Sequence, residues 1–183
     1  MPTNREVLDV TIALERQSMA IYARFAKLFM ATKGLHEFWF GMARDEARHV
    51  GALHLAATVL ELEGKLDQPS PIRLDEATIR HMRKLLADCG NAVDGEISVE
   101  RALAMALEVE ESELEDLVSD LLKALQEGDE YNSCMRLLVH DLGELSYMIE
   151  QHCQDDPALL QRCDTLVNRH AENLCGGAAH RAS

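Results

Sequence analysis

Two stretches of this chain, about residues 4–63 and 98–152, contain no proline, and their apolar residues recur every three to four positions. The four prolines stand at 2, 69, 71 and 157, so most of the chain is committed to long helices. Lys33-Gly34 divides the first stretch and Gly128-Asp129 divides the second. The first helix is predicted from an N-cap at Asn4 to Ala31, and the second from Leu35 to Glu63, closed by Gly64. Each spans about 40 Å at 1.5 Å per residue. A link of a few residues forces the two to pack antiparallel. A connection over about residues 64–97 follows. It holds Pro69-Ser70-Pro71, a short helix from Glu76 to Ala87 capped by Asp75, and a break at Gly90 and Gly95. Ser98 caps a third helix that continues to Gln126, and the fourth covers residues 130–152. Pro157 opens a shorter C-terminal helix, and Gly176-Gly177 predicts a frayed tail. The expectation is an all-α antiparallel four-helix bundle, one domain over residues 1–183 with its core in about 4–152.

Composition and charge narrow the function. Apolar residues make up 47% of the chain but aromatics only 4%, which suits helices and starves a β-sandwich. A formal charge of −14 argues against nucleic acid or an anionic membrane as partner, because both require a basic face. No segment approaches the roughly 20 apolar residues of a membrane span. The start, Met1-Pro2-Thr3-Asn4-Arg5-Glu6, lacks the basic and apolar regions of a secretory signal, so a cytoplasmic location is expected. The five cysteines are odd in number and form no C-x-x-C pair. That excludes a Cys₄ iron site and disfavours a disulfide framework. The group His152, Cys153, Cys163, His170 and Cys175 matches no ligand spacing and reads as ordinary helix-face residues.

The informative residues are ionisable ones on apolar faces, where a lone charge costs several kcal/mol or is neutralised. On the first helix Glu15 falls among Leu8, Ile12, Met19, Tyr22, Ala26 and Phe29. On the second, Glu46 and His49 interrupt the stripe of Leu35, Trp39, Met42, Leu53, Ala57 and Leu60, one turn apart. On the third, Glu110 is central to the Leu103–Leu125 stripe and Glu113 lies toward its edge. Glu15 and Glu46 stand midway along antiparallel helices and can meet at one level. A divalent cation is the simplest partner for such a set, with a structural polar network as the other reading.

These residues resemble the rubrerythrin family of ferritin-like proteins. Glu15 to Tyr22 is similar to its Glu-x₆-Tyr, and Glu46-x-x-His49 to its Glu-x-x-His, 31 residues after Glu15. Ser98 to Leu117 resembles its third helix, with Glu110 as ligand and Glu113 three residues on. The resemblance covers about residues 4–152 and implies a ferritin-like bundle with a long crossover between helices two and three. It also implies a di-iron carboxylate site that reacts with peroxide or O₂. Carried over, Glu15 and His49 bind one iron, Glu46 bridges, Glu110 serves the second iron, and Tyr22 donates a hydrogen bond that orients carboxylates. A homodimer is expected from the same resemblance.

The chain departs from that pattern in three places. It has no Cys₄ electron-transfer site, so electrons come from another protein or from Fe²⁺ itself. Leu117 replaces the third-helix tyrosine. The fourth helix carries Leu142 and Leu145 where the second carries Glu46 and His49, while Glu144 and Tyr147 point away from its stripe. One strong site, or one strong and one weak, is therefore expected, holding one or two iron ions, with Zn or Mn as other candidates. Two functions follow: a peroxidase- or ferroxidase-like non-haem iron protein, or a non-enzymatic metal-binding protein with a degenerate site.

Overall fold

Thr3, not Asn4, caps the first helix. Its hydroxyl accepts from Glu6 N, and the Glu6 carboxylate accepts from Thr3 N at 2.8 Å. The computed structural model describes the backbone of residues 1–93, 96–125 and 129–179. Side chains 113, 115, 119, 125, 129–131 and 173–179 lie outside the described set. Helices α1 (Asn4–Leu28) and α2 (Lys33–Leu62) lead the chain, followed by α3 (Glu76–Ala92) in the crossover. Then come α4 (Val99–Glu110), α5 (Glu113–Leu125), α6 (Asp129–His152) and α7 (Pro157–Ala179). The protein is all-α, and no described helix is long and apolar enough to cross a membrane.

α1 and α2 run antiparallel. The Tyr22 ring stacks on Trp39 at 6.0 Å, and further along, Glu15 meets His49. Lys65, just past α2, accepts from the Asn4 side chain at the start of α1. The crossover folds back on the α1 N-terminus, where Gln68 O and Leu66 O accept from Asn4 N and Arg5 N. Two of the donors a helix start leaves unsatisfied are thereby paired. Arg5 adds a surface ion pair to Asp67 at 2.7 Å.

Three expectations from the sequence are corrected. The third helix is two: α4 ends at Glu110 and α5 begins at Glu113, with Glu111 and Ser112 between. At the break Arg162 of α7 donates to both carboxylate oxygens of Glu111 at 3.2 and 2.5 Å, and Ser112 Oγ accepts from Leu114 N. The crossover helix runs past Ala87 to Ala92, held by buried Cys89 and by Arg24, which donates to Gly90 O. The C-terminal helix is long and continues through Gly176-Gly177. Its Leu159, Cys163, Leu166 and His170, at heptad spacing, are all buried. α7 packs chiefly on α6, and α4 packs on α6 beside the core face that carries Leu142 and Leu145.

Candidate metal centre

α1 delivers Glu15 and α2 delivers Glu46 and His49 to one level of the core. The three are 0%, 4% and 4% exposed, so no solvent shell solvates their charge. His49 Nδ1 lies 3.4 Å from Glu15 Oε2 and 3.5 Å from Glu46 Oε2. One ligand atom from each falls within 4.8 Å of the others, and this is the one such group of three among the described residues. Glu46 Oε2 is buried and makes no well-formed hydrogen bond. Burial, and then the neighbouring Glu15 charge, hold the Glu46 carboxyl well above the ordinary carboxylate range. Two carboxylates and an imidazole converging in this way suit iron, manganese or zinc.

Glu110, at the C-terminal end of α4, is 3% exposed but outside that group of three. It accepts from Tyr22 Oη at 2.5 Å, and Tyr22 is fully buried. Burial and then the Glu46 charge push the Glu110 carboxyl up to about 8. The side chain of Glu113 lies outside the described residues. On α6, Leu142 and Leu145 are both 0% exposed, whereas Glu144 is exposed and Tyr147 is 60% exposed. The core face of α6 therefore presents leucine where α2 presents Glu46 and His49.

Sequence reasoning passed over a second acidic pair. Asp45 and Asp141 are buried side by side, and burial and then the Asp45 charge push the Asp141 carboxyl up to about 7. Asp45 is held by Arg48 one turn away and by Arg44 at 3.7 Å. Aligning α2 with α6 places Asp45 over Asp141, which was the one signal in the sequence, but each lies at the edge of its apolar stripe. Of the tail residues, His152 is exposed while Cys153, Cys163 and His170 are buried, and they form no ligand group among the described residues. Cys175 has its side chain outside the described set. Burial raises Cys89 to about 11 and Cys163 to about 12, so neither is a thiolate near neutrality.

No protein-family model, curated protein or solved structure matches this chain.

The raised carboxyls fix a sign for stability against pH. Between the ordinary value of 4.5 and about 8, the folded metal-free chain keeps a proton on Glu110 that the unfolded chain has lost. Stability from this group is complete below 4.5 and is lost as pH rises through about 8. His170, whose pKa burial lowers, acts in the opposite direction. The comparison of wild type with Glu110→Gln isolates the effect. From pH 5 to 8 the metal-free wild type should lose on the order of 3 kcal/mol more unfolding free energy than the variant, measured in urea. Equal slopes would contradict the burial of an ionisable Glu110.

Proposed function

We propose that this chain is a ferritin-like, rubrerythrin-type bundle that binds a metal ion at Glu15, Glu46 and His49 and acts on peroxide or dioxygen. Iron is the first candidate. The observation that carries the proposal is the convergence of those three buried side chains from two helices, with ligand atoms within 4.8 Å of one another. Leaving such a set unneutralised in an apolar core costs several kcal/mol, and a cation removes that cost.

An iron ion held by Glu15, Glu46 and His49 would supply electron transfer to the oxidant. The surrounding residues prepare for it. Binding would favour the ionised form of Glu46, which burial opposes in the metal-free chain, and His49 Nδ1 faces both Glu15 and Glu46. Tyr22 Oη donates to Glu110 at 2.5 Å and fixes the orientation of its carboxyl. Leu142 and Leu145 exclude water on the α6 side. Electrons for a catalytic cycle come from an external donor or from Fe²⁺ supplied as substrate. A reducing compartment such as the cytoplasm suits the four described cysteines, which form no disulfide.

The same leucines favour a second reading, in which the site holds one ion such as Zn²⁺ for structure. Anaerobic loading with Fe²⁺ followed by hydrogen peroxide separates the two. Rapid oxidation of about one iron per chain, lost in His49→Ala, supports the redox role. Peroxide-inert metal that raises the melting temperature supports the structural one.

A further inference from the structure

A surface cleft of about 730 Å³ lies between α2 and α6, apart from the three converging side chains of the core. Its width is set by glycine. Gly34, Gly41 and Gly143 line it, and a Cβ built on any of them meets nothing within 4 Å. Gly41 and Gly143 lie inside helices and neither has a positive φ, so backbone conformation does not call for glycine there. Each costs its helix about 1 kcal/mol against alanine. Neither packing nor conformation accounts for that cost, and an open cleft does. The side chains around it are mixed in kind. Phe38, Tyr147 and Met148 give it an apolar wall, and Tyr147 is 60% exposed. Asp45 and Asp141, 4% and 8% exposed, form its floor, and Glu37 and Glu144 stand exposed at its rim. Four carboxylates thus face one arginine, Arg44.

We propose that this cleft is a binding site for a small organic cation, a protonated amine or amidine carried on a flat apolar frame. Charge selects the head group. Asp45 is already paired with Arg48, and with Arg44 at 3.7 Å. Asp141 has no lysine or arginine partner among the described residues; its neighbour is His140 Nδ1 at 3.3 Å. A carboxylate buried beside another at the base of an opening is stabilised by a cation that enters it. An amidinium offers two parallel N–H donors, which a carboxylate accepts in bidentate fashion. A bare metal ion fits less well, because Asp45 and Asp141 belong to no converging group of three ligand atoms among the described residues. Shape selects the rest of the molecule. Gly41 and Gly143 leave room for a flat body beside Tyr147, and an exposed aromatic face attracts a cation by about 0.5–1 kcal/mol. The volume falls within the usual range of small-molecule sites, about 300–1,000 Å³. The four carboxylates repel an anion, and a neutral apolar molecule would bury Asp141 further with no compensating contact.

The test uses 4-aminobenzamidine, whose fluorescence rises in an apolar environment, and it does not depend on metal. One probe should bind per chain with a Kd of about 0.1 mM. Benzamidine should displace it, and benzamide, the neutral isostere, should not. Gly41→Leu places a good helix former where there is room for it and fills the cleft, so it should abolish binding with helix content unchanged. Gly51→Leu, on the same helix but outside the cleft, should leave binding unaltered. Asp141→Asn keeps the shape and removes the charge, and should weaken binding about tenfold or more. No saturable binding, binding that persists in Gly41→Leu, equal displacement by benzamide, or wild-type affinity in Asp141→Asn would each overturn the proposal.

Discussion

Glu46→Gln is expected to abolish tight metal binding and, in the same molecule, to make the metal-free protein more stable. The two effects have one cause. Glu46 is buried beside Glu15, and both burial and that neighbour oppose its ionisation. At pH 8 the metal-free chain must either hold a proton against solution or bury a second negative charge. Gln has the shape of the protonated acid and does neither. The gain should be about 1–3 kcal/mol in urea unfolding at pH 8, within the range seen when buried ionic groups are neutralised. Metal affinity should fall about 100-fold or more, beyond the loss that follows removal of a group merely supporting a ligand. A Glu–His network kept for structure gives the opposite sign, because Glu46→Gln then removes a partner of His49 and costs stability.

The second large effect is on α6. Leu142→Glu or Leu145→His alone should destabilise the metal-free protein by about 3–5 kcal/mol, since each puts an unpaired ionisable group in a fully buried position. Together they recreate on α6 the Glu-x-x-His of α2. Bound metal should then rise from about one toward two ions per chain. Added Fe²⁺ should recover the lost stability by mass action. Glu144→Ala and Tyr147→Phe, at exposed positions, should leave metal content unchanged. If those two changes strip the metal while the leucine pair adds none, Glu144 is a ligand and the α6 leucines are packing alone.

Much of this architecture was readable from periodicity. The buried stripe of α6, Met135, Leu138, Leu142, Leu145 and Ile149, is visible as spacing, and so is the intrusion of Glu15, Glu46, His49 and Glu110 into apolar faces. Spacing is local, and helix formation along α1, α2 and α6 follows from it. The break between α4 and α5 is not local. Leu107, Leu114 and Leu121 keep one helical period across it, and at the break Glu111 pairs with Arg162, fifty-one residues away. Leu159, Cys163 and Leu166 of α7 are buried, and the helix continues beyond them through Gly176-Gly177, where residue type alone predicted an end. The pairing of Asp45 with Asp141 was hidden for a related reason. Each sits at a stripe edge, where a helical wheel cannot tell a buried carboxylate from a solvated one.

Metal analysis of the chain purified without added metal, beside Glu46→Gln and His49→Ala, decides whether Glu15, Glu46 and His49 hold an ion. About one transition-metal ion per wild-type chain is expected, iron foremost, and almost none in either variant while helix content stays unchanged. A metal-free wild type that also fails to take up Fe²⁺, or equal metal content in all three proteins, would contradict it.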